Sequence, residues 1–309
     1  DWRQMFDDMS KDIDAVMVAT PDHTHAGVTA HAITIGKHAY TQKPLTHSVY
    51  ESRLLTKLAD KYKVATQMGN QGNSFDWCRE ITEWIHTGII GEVKEVHCWT
   101  DRPIWPQGLM KPSEGKNIPS DLDWNLFIGP AKMRPYHDVY TPWNWRGWWD
   151  FGTGALGDMA CHIMDPIYWA LDLKYPTKVS GSSPLSNLYS PPHAQTAEYT
   201  YPPRPRKMNG DRPEVKVVWY DGGLMPPRPT ELLDGEMMGD SNGGIIFIGT
   251  KGKIMTGCYG MDATLLPREK MKDFKKPSPW IPRSSGGNGD IWSSNAHEQD
   301  WVRACKESP

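Results

Sequence analysis

Several features that would assign a class at once are scarce in this sequence. Neither sign of charge dominates: 34 Lys and Arg face 37 Asp and Glu, for a formal net charge of −3 over 309 residues. That balance gives no electrostatic reason to expect nucleic acid or an anionic membrane as a partner. No apolar run approaches the ~18 residues that span a bilayer, and no signal peptide opens the chain. Five cysteines (Cys78, Cys98, Cys161, Cys258 and Cys305) are dispersed without a C-x-x-C pair, which argues against a disulfide framework and a zinc site. There is no internal repeat. A natural start is also missing: DWRQMFDDMSKD reads as the tail of a surface helix, so a truncated chain is expected. The compartment stays open between the cytoplasm and export, folded, to the periplasm.

What is present is an ordered alternation of elements. DIDAVMVAT (12–20) reads as a buried parallel strand stopped by Pro21, and DHTHAGVTAHAITIG (22–36) follows with helical spacing and a terminal glycine. KHAYTQKP is a second short strand. THSVYESRLLTKLADKYK (46–63) predicts an amphipathic helix with Thr46 as N-cap and Val49, Leu54, Leu55 and Leu58 as its buried stripe. VATQMGNQG (64–72) is a third strand ending in a Gly/Asn-rich turn. This alternation belongs to a doubly wound α/β sheet.

Beyond residue 72 the rhythm changes. A helix is predicted over 75–91 and an alternating strand over EVKEVHCWT. Pro-, Trp- and Gly-rich text fills 101–150. A helix over 157–173 is expected to kink at Pro166, and strands follow at 194–202, 214–223 and 243–257. The stretches 202–213 and 282–290 read as exposed loops, and a last helix begins near 294. The expected organisation is a Rossmann-type α/β unit over 1–72 and, over 73–309, an α+β unit with an open, mainly antiparallel sheet. The 15 tryptophans fit either a ligand-lining surface or a wide core.

GTGALG (152–157) matches G-x-G-x-x-G, but PWNWRGWWDF before it is no buried strand, and no acidic strand end follows at the ribose distance. These glycines read as a tight entry to the next helix, where backbone approaches a ligand closely. The dinucleotide fingerprint is expected one βαβ unit before DIDAVMVAT, ahead of Asp1.

Three side chains stand out chemically. Asp158 and His162, four apart on a predicted helix, share a face, with Asp165 nearly on it. A carboxylate beside an imidazole suits acid/base work; a surface pair or a satisfied core histidine would show the same spacing. Lys43 sits at the carboxyl edge of a parallel sheet, where such folds place ligands, though a solvated strand-end lysine would look alike. A metal reading of His23 and His25 with Asp158 and His162 is disfavoured, because an H-x-H pair at a helix start rarely converges. His25 or Thr20-Pro21 is expected to line a crevice, and His23 to be solvated.

DAVMVATPDHTHA, QKP (42–44), GDMACHIMD and GGIIFIGTKGKI, in this order, resemble the Gfo/Idh/MocA oxidoreductases, which include glucose–fructose oxidoreductase and inositol dehydrogenase. The resemblance covers nearly all the chain. It implies the C-terminal half of a Rossmann fold followed by a catalytic α+β domain, and a chain incomplete at both ends. It implies Lys43, Asp158 and His162 as the catalytic group. Ala19, Thr20, Pro21, His25, Gln42, Lys43, Asn70 and Gln71 would face NAD or NADP. Trp145, Arg146 and Trp148, with the catalytic group, would meet a sugar or polyol, and no metal is implied. Gln42 departs from the family's Glu, which removes a negative charge beside Lys43. The implied activity is hydride transfer between a hydroxyl carbon and nicotinamide. The alternatives are a redox-assisted glycoside hydrolase that retains its cofactor, and a non-catalytic sugar-binding homologue. Homo-oligomers through the open sheet of the second domain are also implied.

Overall fold

The computed structural model describes residues 1–184, 186–205, 212–284 and 295–307. Parts of the two loops expected over 202–213 and 282–290 lie outside the described residues.

The chain opens with α1 (Trp2–Met9) and then builds a three-stranded parallel sheet: β1 (Ala15–Val18), β2 (His38–Gln42) and β3 (Thr66–Gly69), in the order β1-β2-β3. The connecting helices are α2 (His25–Thr34) and α3 (Val49–Tyr62). Phe6 of α1 and Val28 and Ala32 of α2 pack with Val18, while Ile33, Ala39 and Leu55 form an adjoining cluster. All three strands end at one edge, where a parallel sheet presents its ligand crevice.

Two details of α3 differ from the sequence reading. Its N-cap is Ser48, in a reciprocal capping box with Glu51, while the Thr46 hydroxyl bonds to Ser48 O and Ser52. Val49 is then the first helical residue and is 68% exposed, so the stripe rests on Leu55, with Leu54 and Leu58 partly buried. β1 is shorter and less enclosed than its apolar run suggests, with Met17 exposed.

α4 (Asp76–His86) leads into β4 (Val93–Thr100), the centre of a seven-stranded sheet ordered β10-β9-β8-β4-β7-β6-β5. The strands are β5 (Lys178–Ser182), β6 (Thr196–Tyr201), β7 (Val215–Tyr220), β8 (Gly243–Gly249), β9 (Lys253–Gly257) and β10 (Thr264–Leu266). Every pairing is antiparallel except β4 with β7, so the sheet is mixed, with one parallel pair. β5 and β10 carry weak sequence signals and were not expected. Between β4 and β5 lie α5 (Trp124–Ile128), α6 (Gly154–Ile163) and α7 (Asp165–Leu171). The helix expected over 157–173 is therefore two helices. The break falls at Met164, and Pro166 sits in the first turn of α7, where its missing N–H is harmless.

α4, α6 and α7 cover one face of the large sheet, where Trp84, Ile163 and Ile167 meet Val96, Cys98, Trp219 and Phe247. On the other face Leu232 and Met238, from the segment between β7 and β8, pack on Trp99, Ile246 and Met255. That segment leaves β5 exposed along its length.

α8 (Ala296–Glu307) returns to the first sheet. Side chains alternate along β2, so Ala39 joins the α2–α3 cluster while Tyr40 meets Trp301 edge-on at 5.6 Å. His297 donates through Nε2 to Met68 O at 2.8 Å, and its Nδ1 shares a 2.7 Å hydrogen bond with the Ser74 hydroxyl. No described helix is long and apolar enough to cross a membrane. Replacing Trp301 with Ala should lower unfolding stability by about 3 kcal/mol, the ordinary cost of deleting a buried indole. Urea denaturation measures it, and a loss near zero would mean α8 is not held by this contact.

Candidate active site

The carboxyl edge of the small sheet meets the segment that starts α6. Lys43 follows directly on β2, and its Nζ donates to Asp158 Oδ1 at 2.8 Å and to Asp158 O at 3.1 Å. An ammonium has three donors, so one remains. Both side chains are largely buried, 22% and 11% exposed, which makes this pair less screened than a surface ion pair. Arg146 Nε approaches the same Oδ1 at 3.7 Å. Asp158 Oδ2 takes no hydrogen bond from the described residues.

Three further side chains of the first unit grip the same segment. Asp22 accepts from the Thr153 hydroxyl at 2.9 Å, and burial raises its pKa against the opposing pull of His25 and that hydrogen bond. His47 Nε2 lies 3.3 Å from Gly152 O. His23, expected to be solvated, is 3% exposed, with Nε2 2.9 Å from Phe127 O and Nδ1 3.2 Å from Phe151 O. The correction has a tertiary cause: the aromatic cluster of Trp124, Tyr140, Trp148 and Phe151 docks over the β1–α2 turn. Burial lowers the pKa of His23, against the opposing pull of the Phe127 and Phe151 carbonyls.

His25 does not line a crevice either. It is buried, with Nδ1 2.7 Å from Pro44 O and Nε2 2.6 Å from Thr20 O, and so ties the end of β1 to the end of β2. Ala19 and Thr20 are exposed at the end of β1, and Pro21 is half-buried. Gln42 folds back across Gly69, where a Cβ would meet its Oε1 at 2.6 Å. Its Oε1 accepts from Lys43 N at 3.3 Å, and its amide NH2 has no partner among the described residues. Asn70 and Gln71 open the turn after β3, Asn70 buried and Gln71 half-buried. The exposed end of β1 and the available Gln42 amide at one sheet edge fit a nicotinamide nucleoside. Among the described residues no glycine-rich turn joins a parallel strand to a helix.

His162 lies one helical turn beyond Asp158 on α6, edge-on to the Tyr259 ring at 5.0 Å. Its Nδ1 is buried without a hydrogen-bond partner among the described residues. Burial first, then the charges of Lys43 and Arg102, push its pKa down to about 3, so the ring is neutral at physiological pH. Asp165 accepts from Asn73 Nδ2 at 2.8 Å, and burial lifts its carboxyl to about 6. Asn73, Arg102, His47 and Tyr259 had no readable signal; Asn73 lies just past the Gly/Asn-rich turn that ends the strand expected over 64–72, and His47 lies in the helix expected over 46–63. Tyr259 holds a left-handed backbone, φ +61°, against the site.

The tryptophan-rich segment divides in two. Trp148 is 1% exposed and donates its indole N–H to Val139 O at 2.9 Å, so it is core, not a ligand surface. Trp145 and Trp143 clasp Arg146, whose guanidinium carbon lies 4.2 Å and 4.1 Å from their ring centroids. The glycines of GTGALG serve packing. A Cβ on Gly152 would fall 2.5 Å from Arg146 Cα, and one on Gly157 would fall 2.3 Å from Thr153 Cβ. Gly154 has φ +64° and lies against Pro191. No ligand approach is needed to explain them.

The depressed pKa of His162 has a thermodynamic consequence. Between pH 6.5 and about 3 the unfolded ring takes up a proton that the folded ring refuses. Its contribution to stability is complete above pH 6.5 and declines as pH falls toward 3. Unfolding free energies of wild type and His162→Gln, measured from pH 7 to pH 4, should therefore draw closer or cross. A difference independent of pH would overturn the assignment of a neutral, buried ring.

Two family models match in order. Residues 1–70 match the oxidoreductase family's NAD-binding Rossmann fold, and residues 89–202 match its C-terminal alpha/beta domain. Levoglucosan dehydrogenase of Pseudarthrobacter phenanthrenivorans is 26% identical over 166 residues, which are 53% of this chain and 34% of that protein. The 2,7-anhydro-N-acetylneuraminate hydratase of Escherichia coli is 30% identical over 131 residues, 42% of this chain and 32% of that one. The matched part thus spans about a third of these relatives' length. A solved levoglucosan dehydrogenase in complex with NADH shares the fold over 99% of this chain and 74% of its own, with TM-score 0.60 and 18% identity. With both family models matched in sequence order, the chain belongs to the Gfo/Idh/MocA oxidoreductases.

Proposed function

We propose that the protein transfers hydride between a sugar or polyol hydroxyl carbon and a nicotinamide dinucleotide. The observation that carries this reading is the Lys43–Asp158 pair beside a neutral His162. Bound NAD(P)+ supplies the hydride acceptor. Thr20, Gln42 and Asn70, at the three strand ends, would hold its nicotinamide half; the second unit then brings the substrate groups to the same edge.

The protein's own part is orientation and proton handling. The free donor of Lys43 binds the reacting oxygen and stabilises the negative charge that develops there. Asp158 Oδ2, unengaged, accepts a neighbouring hydroxyl. His162, neutral and one helical turn beyond Asp158, takes the hydroxyl proton as the carbon loses hydride. In the reverse direction it returns that proton. The relatives' names include both a dehydrogenase and a hydratase, so retained-cofactor chemistry would use the same three residues.

The division that fits this reading is 1–72 for nucleotide and 73–309 for substrate, with α8 of the second unit docked on the first sheet. A second copy of the chain would pair through the large sheet, whose edge strand β5 is exposed along its length.

Lys43→Met and His162→Ala should each lower turnover about 10²-fold or more while the fold is retained. NAD(P)H formation over a panel of sugars and polyols, with circular dichroism as the folding control, measures this. Wild-type rates in both variants would sink the assignment.

A further inference from the structure

Arg146 is held unlike any other cation of the site. Its guanidinium is clasped between the indoles of Trp143 and Trp145, at 4.1 Å and 4.2 Å, with Trp105 at 6.0 Å. The turn that carries it is locked from behind, because Gly152 leaves no room for a Cβ against its backbone. Three-quarters of the side chain is buried, at 23% exposure. Such a guanidinium would ordinarily be satisfied by short charge-assisted bonds of roughly 2.7–2.9 Å. Among the described residues its contacts are longer: Nη1 to Trp143 O at 3.5 Å and Nε to Asp158 Oδ1 at 3.7 Å. Asp158 Oδ1 is already taken by Lys43 at 2.8 Å.

A rigid, planar fork with most of its five donors unengaged is poorly explained as a structural staple. Leaving donors of a half-buried cation unpaired costs free energy, and a partner anion would remove that cost. A neutral hydroxyl would satisfy one N–H; a carboxylate satisfies two in parallel, in the plane the indoles impose. Arg146 and Lys43 approach the same Asp158 oxygen, at 3.7 Å and 2.8 Å, so an anion on Arg146 would be close to a hydroxyl on Lys43.

We propose that the substrate is an acidic sugar whose carboxylate is bound by Arg146 in the Trp143–Trp145 slot. The proposal rests on the oxidoreductase reading of the site and adds its substrate class. Arg146 is a specificity-determining residue here; the hydride and the hydroxyl proton leave as described above.

The test uses the protein with NADH present, and D-glucuronate and D-galacturonate as probes against D-glucose and D-galactose. Dissociation constants come from calorimetry, with thermal shift as an independent readout. The uronates should bind more tightly than the hexoses. Arg146→Gln should weaken uronate binding by roughly tenfold to a hundredfold and hexose binding by much less. Arg146→Lys, which keeps the charge without the fork, should recover only part of the difference. Equal binding of acidic and neutral sugars, no binding of either uronate, or a uronate preference that survives Arg146→Gln would overturn the proposal. Loss of all four sugars together in Arg146→Gln would also overturn it, because that is the behaviour of a structural staple. Failure of the underlying reading is distinct: the uronate preference would stand while no sugar, acidic or neutral, yields NADH from NAD+.

Discussion

The ion pair between Lys43 and Asp158 is the contact on which the site depends. It joins the last residue of a parallel strand's exit to the second turn of a helix 115 positions later in the chain. A partly buried pair of this kind adds little net stability, since desolvation offsets most of the attraction. What it does is aim. Lys43 carries two hydrogen bonds to one residue, so its remaining donor points in a defined direction. Asp22 on Thr153, His23 on Phe151 and His47 on Gly152 pull the same short segment onto the sheet edge. Glycines at 152, 154 and 157 allow that segment to pass close to Arg146, Pro191 and Thr153. The glycine motif is therefore part of the joint.

The electrostatics follow from this joint. Closing the second unit on the sheet edge buries His162, and burial together with Lys43 and Arg102 disfavours its charged form. A neutral imidazole can accept a proton, and a lysine held on a carboxylate stays a donor; the two roles separate because their surroundings differ. Asp165 answers the same burial in the opposite sense, its carboxyl raised to about 6 with only Asn73 to support the anion. One burial event thus neutralises a base and lifts an acid on adjoining helices.

Much of the frame was legible. Strands over 12–20, 37–44 and 64–72, the helices between them and the late strand pairs all have the periodicity their burial demands. Lys43 at a strand exit, and Asp158 and His162 four apart on α6, were readable because local geometry places them. Other features were not. Whether His23 faces water depends on where Phe127 and Phe151 dock, more than 100 residues away in sequence. Trp148 and Trp145 look alike in PWNWRGWW and are buried in one aromatic cluster, yet Trp145, in the short helical turn over Asn144–Gly147, also stacks on Arg146. Met164 breaks the helix that Pro166 was expected to bend, so Asp165 is held by Asn73, beside Asp158's helix but not on it.

By itself the sequence determined the candidate site residues, the order of the elements and the two sheet types, since these rest on local propensity, side-chain period and residue identity. Only the tertiary structure decided how those residues meet. It placed α8 on the first sheet, paired β4 in parallel with β7, and closed Lys43 on Asp158. It also withdrew solvent from His162 and set the guanidinium of Arg146 between two indoles. The physical reason is that charge state and aim depend on burial and on partners far away in sequence, and no local pattern encodes either.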